Sequence, residues 1–108
     1  MSKVDLLQGT LDMLVLKILS RGKMHGYAIA RLIQRTTDDA LQLEEGSLYP
    51  ALYRMERKGW IASKWGKSEN NRRARYYSMT AAGRKQLEAE SIAWTSLSEA
   101  IAKIMQTA

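Results

Sequence analysis

Glu45-Gly46-Ser47-Leu48-Tyr49-Pro50-Ala51-Leu52-Tyr53-Arg54-Met55-Glu56-Arg57-Lys58-Gly59 carries two patterns at once. At the helical period Leu48, Ala51, Leu52 and Met55 fall on one face, at spacings of three and four. The opposite face shows Tyr49, Pro50, Tyr53, Arg54 and Arg57, where a helix needing only solubility would show Glu, Lys and Gln. Phenols and guanidiniums suit a partner that offers phosphates together with flat bases or sugars. Gly46 and Ser47 are start signals, which puts Pro50 in the first turn, where a proline removes little amide bonding. Lys58 makes a basic last turn and Gly59 supplies a left-handed cap. On this helix alone, an ordinary amphipathic surface helix fits equally well.

After Gly59 the period changes. Trp60 to Trp65 and Ala74 to Met79 alternate as strands do. Between them lies a polar loop, 66–73, whose glycine and asparagines accept left-handed conformations. The expected β-hairpin carries Lys64, Lys67, Arg72, Arg73 and Arg75, five cations against the single acid Glu69. A charge run is usually just solvated. Directly after a helix with a basic outer face, however, a hairpin stands where a wing reaches along a phosphate backbone. Trp60 and Trp65 are expected to pack under this wing. Tyr76 and Tyr77 point to opposite faces of their strand, so at most one faces DNA.

Upstream, a helix is expected over Thr10 to Leu19, with Thr10 as its cap and only Asp12 and Lys17 polar. A helix apolar nearly all round is buried on several sides, between a domain core and something else, such as a second subunit. A second helix opens at His25-Gly26 and runs to about Thr36, with Ile29, Leu32 and Ile33 inward. Lone His25 reads as a cap or packing residue, because no second His, Cys or carboxylate cluster accompanies it. Three short helices, the third amphipathic and basic outside, outline a helix-turn-helix.

Thr80 caps a last helix over 81–105. Leu87, Trp94, Leu97, Ile101, Ile104 and Met105 form its apolar stripe, and Leu87, Trp94 and Ile101 recur every seven residues, as in a helix packed on a like partner. Folding back on its own domain is the alternative, less favoured because a helix of this length extends past a three-helix core. Ile92 falls on the polar side without an explanation. The fold class is therefore mostly α with a small β-hairpin. A winged helix-turn-helix DNA-binding region occupies 1–79 and a long C-terminal dimerisation helix 80–108, as one compact unit.

Composition agrees. A chain of 108 residues makes one domain, close to the size at which a dimer helps. The net charge of +6, from 17 Lys and Arg against 11 Asp and Glu, favours nucleic acid or another anionic surface. Cysteine is absent, which removes disulfides and thiolate metal sites. The segment Met1 to Asp5 lacks the character of a signal peptide, and the longest apolar run, around Met13 to Leu16, is too short for a bilayer. A cytoplasmic protein without a membrane partner is expected. Phe is absent while Tyr and Trp number five and three, so the aromatic surface has polar handles.

Leu48 to Ile61 resembles the recognition-helix signature of PadR-family transcriptional regulators. His25-Gly26-Tyr27-Ala28-Ile29 resembles the start of that family's second helix. Arg72-Arg73-Ala74-Arg75-Tyr76-Tyr77-Ser78-Met79-Thr80-Ala81-Ala82-Gly83 resembles its wing strand and the entry to its last helix. The likeness runs from about Leu6 to Ile104, with the motifs in family order, and departs from the pattern at Asn70-Asn71 and Ala74. It implies a homodimeric winged helix-turn-helix of the short subfamily with one C-terminal helix, usually a repressor on inverted-repeat operators. Some short members hold flat hydrophobic compounds between subunits, with a tryptophan of the last helix on the cavity wall. Trp94 stands at that position, and the apolar first helix would add Met13 or Leu14 to the wall.

The expected roles follow. The third helix enters the major groove with Ser47, Tyr49, Tyr53 and Arg54 nearest double-stranded DNA, the phenols on phosphate and sugar and Arg54 on guanine edges. Lys67, Arg72, Arg73 and Arg75 neutralise phosphates or enter the minor groove. Leu87, Trp94, Leu97, Ile101 and Ile104 form the dimer interface. An enzyme is disfavoured for want of parts: no Cys, one His, no metal-ligand set, no phosphate-cradling loop, and no cofactor is expected. The alternative is a winged-helix protein-interaction module without sequence-specific DNA binding.

Overall fold

Leu16, Val15, Ile29, Leu48, Leu52, Met55 and Ile61 are fully buried against one another, and the elements are arranged to bring these side chains together. A computed structural model describes residues 8–108. Met1 to Asp5, and Leu6 where the family likeness begins, lie outside the described residues. The order is α1 (Gln8–Leu19), β1 (Met24–His25), α2 (Gly26–Thr36), α3 (Glu45–Arg57), β2 (Ile61–Lys67), β3 (Arg73–Met79) and α4 (Ala81–Met105). α1 is the central element. It touches α2, α3, α4 and β3, so most of its apolar surface is covered within its own chain, while Met13 stays half-buried. Thr10 lies inside α1 rather than at its cap, because the helix already runs from Gln8.

α2 begins as expected. His25 Nδ1 accepts the Ala28 amide at 3.2 Å, one of the donors a helix start leaves open. The turn to α3 is made by Asp38 and Asp39, both at positive φ (51° and 69°), a conformation that short polar side chains tolerate. The Thr37 hydroxyl donates to the Ile33 carbonyl at 2.9 Å and accepts the Leu41 amide at 3.1 Å, closing that turn. α3 starts at Glu45, earlier than Gly46-Ser47 suggested, so Pro50 sits in the helix interior. Its nitrogen has no hydrogen to give the Gly46 carbonyl. The break is tolerated on the solvent side, where Gly46 and Pro50 are both exposed and Gly46 has no side chain to crowd the ring. Gly59, at φ +80°, ends α3 in the left-handed region.

The sheet has three antiparallel strands in the order β1-β3-β2, one more than the expected hairpin. β1 is only two residues, Met24 opposite Tyr77 and His25 opposite Tyr76, too short to show a period. The hairpin strands are longer than expected and take in Gly66, Lys67 and Arg73, leaving 68–72 as the tip. Asn71 supplies the tip's left-handed residue at φ +61°, a place that glycine fills more commonly. Tyr77 is buried and Tyr76 turns to the outer face, where its hydroxyl donates to the Lys67 carbonyl at 2.9 Å.

α4 is capped by Thr80, whose Oγ1 accepts the Gly83 amide at 3.0 Å. Gly83 is the only buried residue of α4, and a Cβ there would stand 2.0 Å from the Trp60 carbonyl oxygen. The helix can therefore lie directly on the start of the wing. Leu87 packs on the core. Beyond it the apolar residues emerge: Trp94, Leu97, Ile101 and Ile104 are 47, 52, 49 and 70% exposed, and Ile92 is likewise on the surface.

Candidate nucleic-acid interface

Leu48, Ala51, Leu52 and Met55 anchor α3 in the core, which turns Ser47, Tyr49, Tyr53 and Arg57 outward. The Tyr49 ring lies over Gly26, close enough that a Cβ there would come within 2.8 Å of the phenol. Glycine at the head of α2 thus lets the ring rest on that helix. Burial, with a smaller contribution from the Glu45 carboxylate, pushes the Tyr49 phenol above its ordinary pKa, so it remains a neutral donor. Tyr53 is 64% exposed, with the Arg57 guanidinium 5.8 Å from its ring centroid.

Arg54 lies elsewhere than expected. It is ion-paired with Asp12 of α1, the only buried charged residue among those described. Position 54 is about 100° round the helix from Tyr53, which points it to the α1 side of α3. Burial raises the Asp12 carboxyl above its ordinary pKa; Arg54 and Lys58 oppose this and Glu90 adds to it. An acid so enclosed needs its cation, because removing one partner strands the other charge. The structure therefore engages Arg54 in joining two helices, a task that the outward-face pattern of α3 did not show.

The wing joins α3 through polar contacts. Arg75 Nε donates to Ser63 Oγ at 2.8 Å, Ser63 Oγ donates to Glu56 Oε2 at 2.6 Å, and an Arg75 terminal nitrogen stands 3.4 Å from the same oxygen. Trp65 is 54% exposed rather than packed beneath the wing. Arg73 and Arg75 lie 4.7 and 5.8 Å from its ring, so the indole is flanked by two cations. The register explains this, since Trp65 pairs with Arg75 on one face of the hairpin and Lys67 pairs with Arg73 beside it. Trp60 behaves as expected, half-buried against the core with the Lys58 ammonium 4.7 Å from its ring. Arg72 is exposed near the tip. Between α3 and the wing opens a groove of about 450 Å³, lined by Tyr49, Tyr53, Glu56, Arg57, Arg75 and Tyr77.

Comparison with known proteins decides what this arrangement is. The model of the transcriptional regulator PadR-like family matches residues 15–89. The chain belongs to that family. A transcriptional regulator from Clostridium thermocellum is 31% identical, with a TM-score of 0.82 over 89% of this chain and 93% of that one. A PadR-like transcriptional regulator from Bacillus cereus is 27% identical, with a TM-score of 0.81 over 94% and 97%. A protein of Lysinibacillus sphaericus is 27% identical over 98% of this chain and 97% of its own length. The PadR-like chain is thus a DNA-binding transcriptional regulator of winged-helix fold, not an enzyme.

Of the residues singled out from sequence in this PadR-like chain, Tyr49, Tyr53 and Arg75 meet in the groove, and Lys67, Arg72 and Arg73 lie along the wing away from it. Ser47 is exposed in the first turn of α3. Arg57, on the groove wall, and Trp65, beside two wing arginines, lie outside the expected set of site residues. Trp65 and Arg75 both lie inside the strands expected from sequence, but which residues face each other depends on where the hairpin tip falls. Tyr27 also emerges, 57% exposed in the first turn of α2, its hydroxyl accepting from Arg31 at 3.2 Å. Met13 and Trp94 share a cleft of about 190 Å³ between α1 and α4, with Gly9, Thr10, Glu90, Ala93 and Leu97. Leu14 is not on its wall but packs on the core. Among the described residues no cluster of three or more His, Cys, Asp or Glu is placed to hold a metal, and no helix is long and apolar enough to cross a membrane.

Proposed function

We propose that this regulator acts as a homodimeric repressor on an inverted-repeat operator, with α3 in the major groove and the wing along the adjoining backbone. The observation that carries the reading is the groove in which Tyr49, Tyr53 and Arg57 of α3 face Arg75 of the wing, continued by Arg72, Arg73 and Lys67. Donor-bearing aromatics and guanidiniums on a rigid helix suit bases and sugars in register, while cations on a hairpin suit phosphates. Arg54, held by Asp12, fixes α3 on α1 in this reading instead of contacting guanine. The stripe Trp94, Leu97, Ile101 and Ile104 is the contact between copies, since exposed contiguous apolar surface of this kind marks an interface.

A footprint on the DNA upstream of the protein's own gene tests the reading. The expected result is two protected half-sites related by a two-fold axis and spaced by whole helical turns. Protection without sequence preference would favour the protein-interaction alternative instead.

A planar hydrophobic effector is the second part of the proposal, supported by the cleft that Met13 and Trp94 share beside the apolar stripe. At about 190 Å³ the cleft is smaller than the roughly 300–1,000 Å³ of ligand pockets, so such a compound needs a wall from the second copy. Saturable quenching of tryptophan emission by planar aromatic compounds, lost in Trp94→Ala, is the expected signature. Absence of saturable quenching across a panel of them removes the effector and leaves the DNA-binding role.

A further inference from the structure

Among the described residues, Glu56 is the one acid lining a groove whose other walls are Tyr49, Tyr53, Arg57, Arg75 and Tyr77. A carboxylate facing a phosphate backbone opposes binding, and nothing on its own helix holds it there. Arg57, its neighbour, lies over the Tyr53 ring. Instead the Glu56 carboxylate accepts from Ser63 of β2, which itself accepts from Arg75 of β3, and it stands 3.4 Å from Arg75 directly. Arg75 differs in this from the rest of the wing. Among the described residues it is the only wing cation with an acidic partner, whereas Lys67, Arg72 and Arg73 have none.

We infer that Glu56 is a positioning residue that sets DNA specificity: through Ser63 it holds Arg75 against α3, so that only a duplex shaped to present a phosphate in the groove recruits that guanidinium. Random DNA meets Arg72, Arg73 and Lys67, which have no competing acid. To use Arg75 it must displace an existing charge-assisted contact. The same contacts tie both hairpin strands to α3, so the angle between helix and wing is set before DNA arrives. This inference rests on the proposed DNA-binding reading.

The test is the salt dependence of binding to a short duplex of random sequence, read by fluorescence anisotropy. Glu56→Gln keeps an acceptor for Ser63 but removes the charge that competes with phosphate. It should bind random DNA several-fold more tightly. Its log–log salt slope should steepen by roughly 0.9 per protomer, the equivalent of one more phosphate contact. Adding Arg75→Ala to Glu56→Gln should cancel that gain, and Arg75→Ala alone should flatten the slope less than Arg73→Ala does. Ser63→Ala, which breaks the relay from the wing side, should shift the slope in the same direction as Glu56→Gln by a smaller amount. It also decides the question should Glu56→Gln unfold. An unchanged slope in folded Glu56→Gln, or equal flattening by Arg75→Ala and Arg73→Ala, overturns the inference while the DNA-binding reading stands. Wild-type protein that binds no duplex at any salt overturns both.

Discussion

In the first half of α4, Thr80 closes the helix start, Gly83 lies against the Trp60 carbonyl and Leu87 reaches the core. In the second half, Trp94, Leu97, Ile101 and Ile104 stand at the same helical spacings and are about half exposed or more. One unbroken helix therefore has a surface finished by its own chain at one end and an unfinished one at the other. The pattern of apolar residues is continuous across both. What differs is that a core ends, since a helix of this length, about 37 Å, outruns the three short helices beside it. Apolar periodicity thus reports that a face will be covered, and not by which chain.

The anchored half breaks most easily at Gly83. Gly83→Ala places a Cβ 2.0 Å from a backbone oxygen, which cannot swing aside as a side-chain atom does. A loss of roughly 3 kcal/mol or more in urea unfolding is expected, at or above the upper end for overpacked sites. A variant as stable as its parent would mean that α4 is not seated there.

The free half is probed by Ile101→Asp, which should leave helix content intact while weakening self-association on the order of 100-fold, as a charge buried without a partner does. Light scattering across a concentration series reads this. Parent protein that is monomeric at micromolar concentration contradicts the proposed dimer.

The smallest effect sharpens the boundary between the halves, where Asp12 lies among Arg54, Lys58 and Glu90. Its carboxyl is raised above 3.8, chiefly by burial. The folded state therefore holds this proton more tightly than the unfolded chain does. The stability it contributes is fully present below pH 3.8 and is lost as pH rises through the raised value. Asp12→Asn should gain on the parent over that window when unfolding free energies are compared pH by pH. A parent that instead gains on the variant as pH rises would show Arg54 outweighing desolvation.

Much of the architecture was readable because it depends on local periods. The inward faces of α2 and α3, the His25 and Thr80 caps and the Gly59 terminus all follow from spacing and from residues with special backbone or capping chemistry. β1 escaped because two residues carry no period, and the start of α3 was misplaced because Glu44 caps it without a side-chain bond. Trp65 and Arg54 have surroundings other than those expected, for a common reason. Each is amphipathic, and burial or pairing of such a side chain is set by whichever element lies across from it.

By itself the sequence determined that the chain folds as a winged helix-turn-helix with a long apolar-striped terminal helix, and that cations dominate the hairpin, and phenols and arginines the outer face of the helix, expected to meet DNA. These are properties of order and period along one chain. Only the tertiary structure decided which cations are engaged and which are free: Arg54 with Asp12 across forty-two positions, Arg75 with Glu56 across nineteen, Arg73 against Trp65. Charge acts through distance in space, and residues far apart in sequence come within hydrogen-bonding reach only after the core has closed.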